Sequence, residues 1–151
     1  MSRYQYEAGR KTEDNIALFF NSFNYMVIPL NKGINGQPFD IVARRENDIW
    51  FVDAKHVVEN KASFAFDRIE ANQITSMRYA NYVANIHDNM GFIIEWDRTP
   101  GKFYYFPYGW YKEMSNKGEK SVKIEKLLDL ERIINKNENI NKQFNQDNKS
   151  K

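Results

Sequence analysis

Cysteine is absent from this 151-residue chain, and its absence excludes disulfide bonds and thiolate zinc sites. Histidine is scarce, because His56 and His87 are the only two. Two histidines cannot build a histidine-rich metal centre, so any metal bound to this chain must be a hard cation held by oxygen ligands. We predict that both histidines lie at the surface or in turns, and that His56 points away from the nearby Asp53.

Long apolar runs are also missing. No such run approaches the length of a membrane span, and the N-terminus lacks the apolar region of a signal peptide. The charges nearly balance, with 22 basic and 20 acidic residues and a net charge of +2. Charge alone therefore does not predict a nucleic-acid partner. These absences together lead us to expect a soluble, intracellular protein.

The residues that are present favour one folded domain. Hydrophobic residues make up 42% of the chain and aromatic residues 15%, which is typical of a globular protein. The length allows one domain with a sizeable core rather than two. We predict a single domain over 1–134 and a disordered polar tail over 135–151, because that last stretch is mostly Asn, Lys and Gln.

Hydrophobic periodicity predicts the order helix, three strands, helix, two strands, helices. A polar arm over 1–9 is expected to come first. The predicted strands are 25–30, 37–45, 49–57, 91–96 and 102–106, and the predicted helices are 10–23, 67–85, 107–114 and 124–134. The second helix is expected to start with a capping box of Asp67 and Glu70. This order predicts an α/β or α+β sandwich around one mixed sheet.

Two neighbouring strands in the middle of the chain carry the strongest functional signal. The first carries Asp40, and the second carries Asp53 and Lys55 after the polar turn 46–48. Because side chains alternate faces along a strand, Asp53 and Lys55 share a face with Phe51. A carboxylate and an ammonium at the end of a buried strand are costly unless they pair, bind a metal or do chemistry.

Three carboxylates are candidates for one site: Glu13, Asp40 and Asp53. Glu13 lies on the apolar stripe of the first predicted helix, where it needs a partner. A divalent cation such as Mg²⁺ would satisfy all three acids, with the backbone carbonyl of Ala54 as a further oxygen ligand. Such a cation can polarise a phosphate and activate water for in-line attack. Lys55 could then stabilise the developing charge or help to deprotonate the water.

Each of these residues also has an ordinary structural interpretation. An ion pair at a strand end is common, and Glu13 can simply favour the dipole at a helix start. Gln73 lies on the buried stripe of the helix over 67–85, where it could be an amide bonded to backbone or could position the attacking water or a phosphate. The aromatic run over 102–111 is expected to fill the core and a strand, or to form a dimer contact.

Taken together, the motif Pro38-Phe-Asp40 and Asp53-Ala-Lys55, with Glu13 on the preceding helix, resembles the PD-(D/E)xK nuclease superfamily. Within it, the chain is similar to the RecU-type Holliday-junction resolvases of Gram-positive bacteria and their phages. Further segments carry this closer match: Val52-Asp-Ala-Lys-His56, Lys61-Ala-Ser-Phe64, Glu70-Ala-Asn-Gln73-Ile74, 91–94, the aromatic strand near Phe103, and 118–121. The similarity spans roughly residues 9–134.

The resemblance implies a restriction-endonuclease-like mixed β-sheet flanked by helices. It also implies a homodimer that depends on Mg²⁺ or Mn²⁺ and cuts four-way DNA by paired symmetric nicks. Glu13, Asp40 and Asp53 would be the metal ligands, Lys55 the catalytic lysine and Gln73 an active-site helper. The expected location is the cytoplasm of a bacterial cell, in a protein of that cell or of a phage.

Two features depart from the family pattern. The second acid is Asp53, where the closer relatives usually carry Glu, and its shorter side chain would shift the metal slightly. The loop over 31–37 is short, whereas RecU-type proteins have a longer insertion there that enters the junction. Two alternatives follow: a nuclease of the same fold that acts on duplex, flap or branched replication DNA, and a binding module that kept the fold but lost catalysis.

Basic residues around the predicted site are candidates for phosphate contacts. They flank the first helix, the loop before the first acidic strand, the strands themselves and the second helix: Arg10, Lys11, Lys32, Arg44, Arg45, Lys61 and Arg68. Contacts from such side chains to phosphates read the shape of DNA more than its sequence. Ordinary solubilising charge is the alternative for each of them.

Overall fold

The structure is a computed structural model that describes residues 3–29, 39–85 and 89–138. Its strands are β1 (Met26–Pro29), β2 (Ile41–Arg45), β3 (Asp48–Val57), β4 (Ser63–Ala65), β5 (Met90–Trp96), β6 (Phe103–Pro107), β7 (Ser121–Lys123) and β8 (Leu128–Asp129). Its helices are α1 (Arg3–Ser22), α2 (Ala71–Tyr82), α3 (Tyr108–Asn116) and α4 (130–138). Short 3-10 turns at Phe66–Arg68 and Ile124–Lys126 precede α2 and β8.

One mixed sheet organises the molecule, with the strand order β1-β2-β3-β5-β6-β8. β3 and β5 run parallel, and the other neighbouring pairs are antiparallel. β4 and β7 form a separate antiparallel ribbon. A parallel pair requires a crossover connection, and the chain makes it through β4 and α2. The crossover brings the start of α2 over β3.

Apolar side chains fill both sides of this sheet. On one face Ile16 and Phe20 of α1 pack in a cluster with Trp50. On the other face Met77 of α2 belongs to a second cluster with Phe92 of β5. Burial of apolar area on both faces is the dominant favourable contribution to the stability of such a sandwich. The predicted mixed sheet flanked by helices is confirmed.

The alternation along β3 decides which side chains meet α2. Trp50 and Val52 belong to the cluster on the α1 face, whereas Phe51 packs against the cluster on the α2 face. Because successive strand residues point to opposite faces, Asp53 and Lys55 lie on the α2 side with Phe51. This agrees with the face predicted from the sequence.

Two predicted helices have different limits in the structure. α1 begins at Arg3, whereas the polar composition predicts an arm over 1–9. Once a helix has formed, each added residue contributes a hydrogen bond, so a polar stretch without proline can extend it. The second helix begins at Ala71 because residues 66–68 form a 3-10 turn. Among the described helices, none combines the length and the apolar character needed to cross a bilayer.

The last part of the domain differs most from the prediction. Instead of one helix over 124–134, the chain forms a 3-10 turn, then β8, which pairs with β6, and then α4. Pairing with a distant strand overrides a local helical pattern here. α4 continues to 138, beyond the predicted domain end at 134, and Asn137 donates to Asp48 at 3.3 Å. Residues 139–151 lie outside the described residues.

Candidate active site

The site forms where β3 extends beyond its neighbour β2. The ladder between these strands ends at the pair Ile41 and Val52, and Asp40 lies just before β2. Two hydrogen bonds from backbone to side chain close this edge. The Asp40 N–H donates to Asp53 Oδ1 at 3.1 Å, and the Ala54 N–H donates to Asp40 Oδ2 at 2.9 Å. We call Asp40 and Asp53 the interlocked pair, because each carboxylate accepts a hydrogen bond from the backbone at or next to the other residue.

The direction of the β3 backbone places a third oxygen on the same edge. The N–H and C=O of one strand residue point towards the same neighbouring strand, and successive residues alternate. The Phe51 N–H donates to the Asn89 carbonyl, on the β5 side, at 2.8 Å. Residue 54 has the opposite parity, and its N–H bonds to Asp40. The Ala54 carbonyl therefore points to the edge that holds Asp40.

Asp53 is a buried acid, and one of its two carboxylate oxygens accepts no hydrogen bond. The residue is only 1% exposed. Its Oδ1 accepts the Asp40 N–H, whereas its Oδ2 is buried and has no hydrogen-bond partner. Burial, reinforced by repulsion from Asp40, raises the pKa of Asp53 from 3.8 to about 8, although the Asp40 N–H and Lys55 oppose this shift. A buried oxygen without a partner is costly, and a hard cation would satisfy it.

Lys55 reaches from β3 to the start of α2. Its Nζ donates to the Arg68 carbonyl at 3.0 Å and to Gln73 Oε1 at 2.9 Å. Burial lowers the pKa of Lys55, while the carboxylates of Asp53 and Asp40 act in the opposite direction. A partly buried lysine beside two acids can stabilise negative charge or take part in proton transfer.

Gln73 contacts both the lysine and the helix start. Its Oε1 accepts from Lys55 Nζ and, at 3.1 Å, from the backbone N–H of Glu70. Glu70 and Gln73 form the capping box of α2, so the predicted box of Asp67 and Glu70 is wrong by one turn. Glu70 is the site residue that sequence reasoning missed. The spacing of Glu70 and Gln73 was the signal that could have identified it.

Glu13 lies on α1 and is half-buried. Its neighbours Thr12 and Asn15 each donate to the Glu95 carboxylate of β5 at 2.8 Å, so this turn of α1 is fixed to the sheet. Within the described ranges, no three Asp, Glu or His side chains lie close enough to hold a metal together. The structure thus brings Asp40 and Asp53 together but does not add Glu13 to a three-carboxylate cluster.

The predicted phosphate contacts are spread over the molecule. Four of the seven basic side chains are exposed: Lys11, Arg44, Lys61 and Arg68. Among these, Arg68 is nearest to the site, since its own carbonyl accepts from Lys55. Lys32 and the side chain of Arg10 lie outside what the structure describes.

Arg45 has a structural role instead. Its guanidinium donates to the carbonyls of Phe23 at 2.9 Å and Ile134 at 3.3 Å. It also lies 3.9 Å from a Glu138 oxygen and stacks over the Tyr25 ring. These contacts tie β2 to the end of α1 and to α4. Because its donors are used inside the fold, we leave Arg45 out of the proposed DNA-contacting set.

His56 faces away from the two acids. Its Nε2 lies 2.7 Å from Asp97 Oδ1, at the far end of β5. His87 and the predicted loop over 31–37 lie outside the described residues. The second histidine and the length of that loop therefore stay as predictions.

Comparisons with known proteins support this fold through structure rather than sequence. No protein-family model and no curated protein sequence matches the chain. Among solved structures, it is similar to Hjc, a Holliday junction resolvase from the archaeal hyperthermophile Archaeoglobus fulgidus. The TM-score is 0.57 at 14% identity, and the match covers 85% of this chain and 96% of that chain. The predicted restriction-endonuclease-like mixed sheet flanked by helices is confirmed.

Proposed function

We propose that this protein is a metal-dependent DNA endonuclease that resolves four-way (Holliday) junctions by paired symmetric nicks as a homodimer. The interlocked pair of Asp40 and Asp53 beside Lys55 carries the proposal. Two acids and a lysine on one strand edge are the groups that cation-assisted phosphodiester hydrolysis needs. The structural similarity to an archaeal Holliday junction resolvase supports the junction as substrate.

The oxygens at this edge fit a hard divalent cation, Mg²⁺ or Mn²⁺. Asp40, Asp53 and the Ala54 carbonyl provide them, and the buried Asp53 Oδ2 has no other partner. Mg²⁺ usually keeps several waters and binds one or two carboxylates, so the proposal does not depend on a third acid. Glu13 stays a predicted further ligand. When bound, such a cation polarises the phosphate and lowers the pKa of a water molecule.

Lys55 and Gln73 act on the phosphate group in this proposal. The Lys55 ammonium, held at Arg68 and Gln73, stabilises negative charge as the attacking oxygen bonds to phosphorus. The Gln73 oxygen is engaged by two donors, so its NH₂ group faces away from them and can donate to a phosphate oxygen or the water. In this proposal, exposed basic side chains contact backbone phosphates and recognise DNA by shape. They are Lys11, Arg44, Lys61 and Arg68, with Arg10 and Lys32 as further predictions.

An exposed set of side chains on α2, at its C-cap and on α3 fits a second copy of the chain. We call it the aromatic ridge: Tyr79, Tyr82, Val83 and Trp110, which are 64%, 68%, 65% and 40% exposed. Lys112 donates to the Tyr82 hydroxyl at 3.1 Å and links the two helices. Tyrosine and tryptophan are enriched in protein interfaces. A homodimer through this ridge would contain two copies of the site, one for each of the paired nicks.

Cleavage assays with synthetic four-way junctions, flaps and linear duplexes test the proposal. Wild-type protein with Mg²⁺ should cut the junction at symmetric positions, and Asp53→Asn should not. Lys55→Ala should keep Mn²⁺ and junction binding but lose several kcal/mol of transition-state stabilisation, on the order of a thousandfold in rate. Full cleavage by Asp53→Asn, or wild-type rates with Lys55→Ala, would contradict the assigned roles.

The same assays separate the alternatives. Equal cutting of junction, flap and duplex would favour a PD-(D/E)xK nuclease with another DNA target. Junction binding without cleavage under any divalent cation would favour a catalytically inactive DNA-binding relative. The RecU-type resemblance and a bacterial or phage origin stay predictions from the sequence.

A further inference from the structure

The start of α2 supplies both acceptors for the ammonium of Lys55. The Arg68 carbonyl lies just before the helix, and Gln73 lies in its first turn. Neither group belongs to β3, on which the lysine is carried. The position of the Lys55 ammonium is therefore set by how α2 begins, and a residue that fixes this helix start can act on the lysine.

Glu70 fixes that start. It is the N-cap residue of α2, with φ −75° and ψ 148°. In the capping box its side chain accepts from the Gln73 backbone N–H, and its own N–H donates to Gln73 Oε1 at 3.1 Å. Two donors, the Glu70 N–H and Lys55 Nζ, converge on one amide oxygen. A flipped amide would place its NH₂ against both donors, so the orientation of the Gln73 side chain is determined.

Glutamate is an unusual choice for this position. Ser, Thr, Asp and Asn are the strongly preferred N-cap residues, although the charge of a glutamate here also favours the helix dipole. The Glu70 carboxylate lies close enough to the site to favour the charged form of Lys55 and to disfavour the ionised form of Asp53. The N-cap of α2 is thus coupled to the site through a hydrogen-bond chain and through charge.

We propose that Glu70 is a positioning residue for Lys55, acting through the Gln73 amide that its capping box holds in place. Its effect on cleavage rests on the proposed nuclease function. The coupling between Glu70 and Lys55 does not depend on that function, because it belongs to the folded protein without metal or DNA. Glu70 itself is not required to touch the substrate.

A double-mutant cycle in unfolding experiments tests the coupling directly. In metal-free protein, Glu70→Ala should destabilise the wild-type chain more than it destabilises Lys55→Met, by roughly fivefold in the folding equilibrium constant. The difference should fall to a small fraction in a Gln73→Ala background, where only the charge of Glu70 still acts on Lys55. Equal losses in all backgrounds would mean that Glu70 only caps the helix. A difference that survives Gln73→Ala undiminished would mean that charge alone couples the two residues, and either result overturns the proposal.

Cleavage provides the second readout. Glu70→Ala should lower kcat for the junction by roughly tenfold to a hundredfold with little change in KM, because a displaced lysine acts on the transition state. Glu70→Ser should restore most of kcat, since serine rebuilds the capping box without the charge. A serine variant as slow as the alanine variant, or an alanine variant at wild-type rate, contradicts positioning through the cap.

A variant of similar stability provides the control. Thr75 is exposed in α2, beyond the capping box, so Thr75→Gly should weaken the helix by an amount comparable to loss of a cap. It should leave kcat unchanged. If wild-type protein cuts no DNA at all, the proposed function fails, yet the unfolding cycle still decides whether Glu70 positions Lys55.

Discussion

Asp53 makes the stability of the metal-free protein depend on pH. Its pKa is about 8 in the folded chain and close to 3.8 when unfolded, because unfolding exposes it to water. The folded state therefore holds the proton over a pH range in which the unfolded state has lost it. The contribution is fully present below about pH 4 and is lost as pH rises through about 8.

We predict that the free energy of unfolding in EDTA falls by a few kcal/mol between about pH 5 and about pH 8. Urea titrations at several pH values would measure it. Asp53→Asn has no proton to lose, so it should flatten most of this slope and be more stable than wild type near the upper limit. An unchanged slope in Asp53→Asn would show that another group causes the dependence.

Asp40 is the other oxygen donor whose removal can be measured. Asp40→Asn keeps the size of the side chain and an oxygen for the Ala54 N–H, but removes the negative charge at the strand edge. We predict roughly tenfold or more weaker Mn²⁺ binding by calorimetry. Asp97→Asn, at the His56 contact outside the site, should bind Mn²⁺ as wild type does. Equal affinities of the two variants would contradict a metal site at Asp40.

At the scale of elements, Gly91 sets the spacing between β5 and β6. A Cβ at this position would lie 2.3 Å from the Phe106 carbonyl oxygen and 2.8 Å from the Tyr108 nitrogen, both backbone atoms. Gly91→Ala must therefore move one strand. We predict a loss of more than about 2 kcal/mol of stability. A Cβ on Gly109 meets nothing within 4 Å, so Gly109→Ala in α3 should be neutral or stabilising in the same denaturation experiment.

The sequence predicts the hairpin of β2 and β3 well, because its pattern is local. Alternating side chains and a short polar turn are enough to place Asp40 beside Asp53. Sequence reasoning did not find β4, β7 and β8. Their partners are distant, as in the pairing of Tyr104 with Asp129, and no local signal identifies such a partner. The structural role of Arg45 was missed for the same reason, since Ile134 and Glu138 are far along the chain.

The aromatic run over 102–111 divides between the core and the surface, and its predicted dimer contact stays a prediction. Phe103, Tyr104, Tyr105 and Phe106 are buried in the sheet and fill the core. Trp110 is exposed on the aromatic ridge. Composition alone does not distinguish the buried residues of this run from the exposed ones. The change from strand β6 to helix α3 at Pro107 decides which residue faces the solvent.

At the scale of the whole molecule, the ridge predicts a homodimer that one charge can disrupt. Tyr82→Lys replaces an aromatic ring of the ridge by an ammonium and should shift the protein towards monomer in sedimentation experiments. Leu18→Lys is the matched control, because Leu18 on α1 is 66% exposed and lies outside the ridge. A Tyr82→Lys protein that stays dimeric, or a Leu18→Lys protein that dissociates, would place the dimer contact elsewhere.

The parallel pairing of β3 with β5 also has a consequence for a chain still under synthesis. Asp40, Asp53 and Lys55 leave the ribosome before Gln73, and β5 follows only after the crossover. β3 lies inside the sheet and cannot be completed until that later strand arrives, since contacts this distant in sequence form late. An unfinished or prematurely terminated copy thus contains the acids and the lysine without the completed sheet and α2 that assemble the proposed site.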